Sequence, residues 1–445
     1  MGYELQNIDD SCDAQSRALE TVKFTTTTFA QLVIPIFVMI LDSYGPYILH
    51  MILAMTGCIG IACILVSSEM RFPELLYFSF GLIGSLAVAS NLIMMELALL
   101  FSDESSRRRV IALLSCLTDV GAGFGYWVLW SMANAGLSFQ TVIILYFIVG
   151  FIVYMIATYL WRVITLSMRS QETMGLRDGP NRESMIRGIT VDMESVNNSI
   201  SHPFEQIHFY PTVGSPTMKG DSHHCHNNLP TINETSSLVS NLSDKMHRST
   251  FLQQALSSPF IILAALYSFH DSRIAFVSTS SRDFLGSLGD DATGFRYLSL
   301  FSITAPLSLL GLPLVDLFIE KKGYIFAIQM VNVFALIHGS ILIGTSSLNI
   351  QVVGFVVFAI YRCITYAILL NYLEVIAKKH ILGKLTGLIS IVPAMTNLMN
   401  IPISNWALGP LHGDFYWPNV LYTGSILLCV LGVMYLDRLQ QNQMY

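Results

Sequence analysis

The chain has 445 residues, 53% of them hydrophobic and only 12% charged, with a mean hydropathy of +0.56 and a formal charge of −6. Soluble proteins carry about 25% charged residues, so composition alone assigns this one to a membrane. The mild charge, with no basic stripe or aromatic-interleaved patch, argues against nucleic acid as a partner.

The first 23 residues are polar and lack the basic start and apolar centre of a cleavable signal peptide. They are read as an extracytoplasmic segment. A helix needs about 20 mostly apolar residues to cross a bilayer. On that scale five spans are predicted, at about residues 24–41, 48–66, 75–100, 110–133 and 139–161. Six more follow at 260–281, 297–319, 324–344, 350–372, 385–405 and 419–436. Residues 162–259 between the two sets are polar and aperiodic, the composition of a disordered linker, and 437–445 form a short tail. The expected fold class is an all-α polytopic membrane protein with bundles of 5 + 6 transmembrane helices.

Lysine and arginine set the orientation, because they concentrate on the cytoplasmic side. With the linker inside, the short loops place Arg107, Arg108, Arg109, Lys321, Lys322, Lys378, Lys379, Lys384 and Arg438 in the cytoplasm. Only Arg71, Arg282 and Arg296 are left in the short outer loops. Linker and C-terminus are therefore expected inside and the N-terminus outside. The same orientation makes glycosylation at Asn197, Asn233 or Asn241 unexpected, although all three match the acceptor pattern.

A repeat links the two sets of spans. PIFVMILDSYG (35–45) and PLVDLFIEKKG (313–323) each place an acid seven residues after a proline and a glycine three further on. Both end an apolar run and lead into another. Proline is tolerated in membrane helices where neighbours re-satisfy the backbone, and glycine allows a tight turn. Matching loops on two bundles joined by a long linker fit parallel repeats.

The first copy resembles the loop motif of the major facilitator superfamily, with Asp42 and Gly45 as its acid and glycine. Val38 stands where that motif has a further glycine, and its basic residues are absent. LTGL (385–388), GPLHGDFYWPN (409–419), SRIAF (272–276) and NAGLSF (134–139) resemble the system-L facilitators of large neutral amino acids, solute carrier family 43. The resemblance covers most of residues 12–438 apart from the linker. It implies twelve spans and sodium-independent uniport. CDAQSRALE (12–20) resembles that family's first external loop, so its first helix is expected to be missing here.

Ionisable side chains inside spans are expensive and mark functional sites. Arg362 lies midway along its span, His270, Asp271 and Arg273 around and beyond the middle of theirs, Asp119 near a centre and Glu96 near an inner end. A zwitterionic amino acid needs a donor fork for its carboxylate, which arginine supplies. It also needs an acid or carbonyls for its ammonium. The candidates are Arg362 or Arg273 for the first and Asp271 or Asp119 for the second, with His270 and Asn91 completing the substrate set. The opposing reading has these charges pairing with one another to hold helices together. The resemblance places arginine at 273 and 362. A loop and gating set comprises Asp42, Gly45, Asp316, Glu320, Gly323 and Arg107.

Asn397, Asn400 and Asn405 with Pro393 and Pro402 are read as kinks and interhelical hydrogen bonds. Gly121, Gly123 and Gly125 form a small packing face, not a phosphate loop. Five of the seven cysteines lie in apolar runs and none forms a CxxC pair. His223, His224, Cys225 and His226 lack the spacing of a structural zinc site, and Ser215-Pro216 is a phosphorylation candidate. No metal or cofactor is expected. An intramembrane enzyme is disfavoured, since no span carries HExxH, GxSxG or paired acids.

The leading expectation is a monomeric, facilitative carrier of large neutral amino acids, in the plasma membrane rather than an endomembrane. A non-transporting regulatory relative, an incomplete reading of the gene, and a proton-coupled carrier of another small organic solute remain as alternatives.

Overall fold

A computed structural model describes residues 2–70, 74–99, 103–175, 251–377 and 379–442. Two compact units divide the chain. One is Met1–Thr158 with Asn233–Tyr445; the other is Tyr159–Ile232, whose described part is the end of a single helix. Every regular element among the described residues is helical. Four long helices come first: α1 (Gly2–Met70), α2 (Glu74–Leu99), α3 (Glu104–Asn134) and α4 (Phe139–Gly175). Eight follow: α5 (Phe251–Ala255), α6 (Ser258–Ser287), α7 (Arg296–Ile303), α8 (Leu312–Gly344), α9 (Leu348–Ile376), α10 (Lys379–Leu398), α11 (Asn400–Leu408) and α12 (Tyr416–Asn442).

Among the described residues, seven segments are long and apolar enough to cross a membrane by length and composition. They are Thr21–Ser67, Gln140–Leu166, Ser258–Ser287, Ala305–Gly344, Leu348–Ile376, Ile381–Leu408 and Tyr416–Leu439. The first and fourth of these are each broken once. Gly45 stands at φ 79°, ψ 174° and Gly323 at φ 82°, ψ 175°. That region of backbone space is essentially open to glycine alone. The two copies of the sequence repeat thus end in the same turn. In the first, Pro46 directly after the glycine further disfavours a continuous helix.

Two expected spans are segmented. Residues 297–319 comprise α7, a 3-10 stretch (Ala305–Gly311) and the start of α8. Pro306 and Pro313 lack the N–H that a continuous helix would use. Residues 385–405 divide at Met399 into α10 and α11, with Pro402 unable to donate back across the break. Helix α4 runs on to Gly175. Residues 176–250 lie outside the described residues, and with them Asn197, Asn233, Asn241, Ser215 and the His223–His226 cluster.

Helix α10 packs on α1 through two glycines four residues apart, which share one helix face. A Cβ at Gly387 would stand 3.3 Å from the Cα of Pro35, and one at Gly383 3.0 Å from the Asp42 carboxylate. Small residues of this kind let membrane helices approach backbone to backbone. The main apolar core joins Leu263 of α6, Ala327, Ile328 and Val331 of α8, Ile364 and Ile368 of α9, and Val433 and Leu436 of α12. Ala112 of α3 enters the same cluster, so the helices before and after the undescribed segment share a core. A second cluster places Phe24 of α1 with Phe276 of α6, Ala407 of α11, Phe415 and Tyr422.

Candidate functional site

Helices from both ends of the sequence surround a cavity of about 340 Å³. Thr27, Gln31 and Ile34 reach it from α1, Ala87 and Val88 from α2, and Ile111, Leu114, Ser115 and Thr118 from α3. Tyr267 and Asp271 come from α6, Arg362, Tyr366 and Leu370 from α9, and Thr386, Ile389 and Ser390 from α10. Much of the wall is apolar, with hydroxyls distributed over it. Among the described residues, one acid and one base, Asp271 and Arg362, are its charged members. The volume falls within the range of about 300–1,000 Å³ typical of small-molecule sites.

Asp271 is 6% exposed and its carboxylate accepts three hydrogen bonds. Tyr366 OH donates to Oδ1 at 2.8 Å. Gln31 Nε2 and Asn397 Nδ2 donate to Oδ2 at 2.8 and 2.9 Å. A buried carboxylate is tolerated only when hydrogen-bonded in this manner. Asn397 also donates to Gln31 Oε1 at 3.0 Å, and Asn400 donates to Asn397 Oδ1 at 3.4 Å and to the Ser272 carbonyl at 3.1 Å. Asn397 and Asn400 were expected to make interhelical hydrogen bonds, and they do. Gln31, Tyr366 and Tyr267 were not among the residues expected from the sequence, which were the charged side chains within spans with His270 and Asn91. An amide inside the apolar run FAQLVIP was the signal for Gln31.

His270 and Arg273 take different positions from Asp271, although they share its helix. Each faces into the packing of α6 with α8 and α9. His270 Nε2 meets Asn332 Oδ1 at 3.0 Å, and Nδ1 meets Tyr361 OH at 2.8 Å. Asn332 Nδ2 is committed to Gln329 at 2.7 Å, which leaves its oxygen to accept, so His270 Nε2 carries the proton and Nδ1 accepts from Tyr361. Arg273 Nη2 donates to His338 Nδ1 at 3.3 Å, with the guanidinium 5.7 Å from the centre of the Tyr361 ring. His270, Arg273, Asn332, His338 and Tyr361 are at most 2% exposed. The structure therefore brings Asp271 and Arg362 to the lining of one cavity and sets His270 and Arg273 in the interior beside it. The Asn91, Glu96 and Asp119 side chains lie outside the described residues.

A second charged group gathers where α3 begins. Asp103 caps that helix, accepting from Ser106 N at 2.8 Å and Ser105 Oγ at 2.6 Å. These bonds hold its carboxyl down at about 2. The first turns of α3 then present three consecutive arginines to the acids of α8 and α9. Arg107 pairs with Glu374, both of them about one-tenth exposed. Arg108 Nη2 lies 3.2 Å from Glu320 Oε1, and Arg109 Nε 3.0 Å from Asp316 Oδ2. Asp316 and Glu320 sit one helical turn apart and so share a face. Sequence reasoning selected Arg107, Asp316 and Glu320 but missed Glu374. In the other copy of the repeat, Asp42 lies against Gly383, and the charge acting on it is that of Lys384 from α10.

A family model, the Major Facilitator Superfamily, matches residues 21–399. The chain belongs to this superfamily. Three solved structures of similar fold agree with that membership. The human organic anion transporter MFSD10 (TETRAN) is 12% identical with a TM-score of 0.56, covering 93% of this chain and 83% of its own. The proton:xylose symporter XylE, bound to 6-bromo-6-deoxy-D-glucose, is 12% identical with a TM-score of 0.58, covering 94% and 84%. The Escherichia coli fucose:proton symporter FucP is 10% identical with a TM-score of 0.50, covering 96% and 92%. At such identity the likeness concerns the fold. The superfamily consists of membrane transporters of small molecules.

Proposed function

We propose that this chain is a facilitative carrier of large neutral amino acids, working by alternating access between a five-helix and a six-helix bundle. The observation that carries the reading is the placement of Arg362 and Asp271 on one cavity whose other walls are largely apolar. A guanidinium binds both carboxylate oxygens of an amino acid at once. The Asp271 carboxylate offers a partner for the ammonium. Ile34, Val88, Ile111, Leu114, Leu370 and Ile389 give an apolar surface for a large side chain. The likeness of LTGL and GPLHGDFYWPN to system-L facilitators supports the same substrate class. The arginines that open α3, with Glu374, Asp316 and Glu320, serve as the cytoplasmic gate. In this reading residues 162–259 form a cytoplasmic linker, the C-terminus is inside, and the carrier works as a monomer in the plasma membrane.

One observation favours a second reading, a carrier of a small organic anion. Asp271 already accepts three hydrogen bonds from protein groups, so the charge of Arg362 alone would select the substrate. Uptake of leucine, phenylalanine and a matched carboxylate lacking the amino group, measured in proteoliposomes with and without a proton gradient, separates the two. Gradient-independent uptake of the amino acids, lost on Arg362→Gln, supports the first reading. Preference for the deaminated analogue supports the second, and strict dependence on the gradient overturns uniport.

A further inference from the structure

We propose that Gln31 is a latch across the two ends of the chain, holding Asp271 closed to substrate until the substrate's own cationic group replaces it. The identity of that group rests on the amino-acid reading above; the latch itself does not.

Among the described residues, Gln31 is the one partner of Asp271 that precedes residue 176. Tyr366 and Asn397 both lie in the later part of the sequence with Asp271 itself. Gln31 uses both ends of its amide there. Nε2 donates to Asp271 Oδ2 at 2.8 Å, and Oε1 accepts from Asn397 Nδ2 at 3.0 Å. Since Asn397 Nδ2 also donates to the same Asp271 oxygen, the three side chains close a ring. Gln31 is 8% exposed, Asp271 6% and Asn397 fully buried. Gln31 and Asp271 also line the cavity. The ring therefore lies both at the contact between α1, α6 and α10 and on the wall of the site.

Any motion that draws α1 away from α6 and α10 breaks both bonds of Gln31 together. Tyr366 and Asn397 stay with Asp271, whose Oδ2 then lacks one donor. Losing one of its donors costs a buried carboxylate oxygen free energy, and an alkylammonium replaces the lost donor with a charged one, which makes a stronger bond. Latch and cation thus compete for the same oxygen. A solute without a donor cannot release the latch, so Gln31 acts as a positioning residue that ties opening to the substrate's chemistry.

The test measures distances between spin labels at Lys23→Cys, within α1, and Ser287→Cys, at the end of α6, in full-length protein otherwise stripped of cysteine. In the parent without substrate a closed distance predominates. Gln31→Leu shifts the population towards longer distances, and the KM for leucine falls about fivefold to tenfold, the worth of one hydrogen bond. Turnover does not rise with it. The paired change Gln31→Glu with Asp271→Asn restores a complementary donor and acceptor and brings back the closed population, while removal of the Asp271 carboxylate lowers uptake. An unchanged distance distribution in Gln31→Leu overturns the latch, as does a paired variant that remains open. Should Gln31→Leu not be recovered folded, the paired variant decides on its own by the same criterion. If the distances respond to Gln31→Leu but leucine and phenylalanine never alter them in the parent, the latch stands and the amino-acid reading fails.

Discussion

The sulfur atoms of Cys116 on α3 and Cys363 on α9 lie 2.7 Å apart, although 247 positions separate them in the sequence. Both are buried, and Cys116 also faces the Ser308 carbonyl at 3.6 Å. Diamide removes two electrons and two protons from such a pair and leaves a disulfide, whose short, directional bond would fix α3 to α9. Uptake should fall about tenfold or more after diamide and return with dithiothreitol. Cys116→Ala should be indifferent to both, and counting thiols with a maleimide should show two lost in the treated parent. An oxidised parent that transports normally would show that α3 and α9 do not separate in the cycle.

Arg107 and Glu374 form a partly buried ion pair between α3 and α9. Removing one member of a fully buried pair costs about 3–5 kcal/mol, and the partial exposure here reduces that. Arg107→Ala and Glu374→Ala should each lower the melting temperature. The exchange Arg107→Glu with Glu374→Arg should recover most of the loss. Failure of the exchange to recover it would mean that the neighbouring Arg108 and Arg109 pairs carry the contact.

Gly45 and Gly323 occupy backbone conformations that side chains resist, at a typical cost of about 1–3 kcal/mol. No atom lies within 4 Å of a Cβ built at Gly45, so Gly45→Ala tests the backbone without a clash. The melting temperatures of Gly45→Ala and Gly323→Ala should both drop, and by similar amounts.

The Gly387 contact tests packing instead. A Cβ there meets Pro35 Cα at 3.3 Å and Val38 Cγ2 at 3.4 Å. Gly387→Ala should be nearly neutral after a small shift. Gly387→Leu should push α1 off α10 and destabilise by about 1–3 kcal/mol, as overpacking does. Thermal unfolding in detergent would reveal the difference.

The cap at Asp103 sets a pH dependence. Its carboxyl titrates at about 2 in the folded protein, against an ordinary 3.8. A depressed folded value contributes stability above the ordinary value, lost as pH falls through the folded one. The difference in melting temperature between the parent and Asp103→Ala should be constant from pH 8 to 5, then narrow between about 4 and 2.

Much of this was legible in the chain because a membrane imposes long apolar runs, and their ends fell close to those of α2, α6 and α9. Pairing of the repeat was legible too, since proline and glycine act on the local backbone. Where Asp271, His270 and Arg273 point was not. They sit within four residues of one another on one helix, and a sequence does not say which face of a largely buried helix meets the cavity. Nor does it reveal Gln31, whose importance comes from a partner 240 positions away. Arg362 was found because a guanidinium in mid-membrane is rare on any helix.

The shared turn at Gly45 and Gly323 separates backbone shape from electrical load. Aligning the copies sets Val38 opposite Asp316, Ser43 opposite Lys321 and Tyr44 opposite Lys322. Val38 lies against the glycine face of α10, whereas Asp316 receives arginines from α3. One hairpin geometry therefore rests an apolar side chain on glycines in one place and holds an acid against arginines in the other. The two can be retuned independently, since neither contact determines the turn.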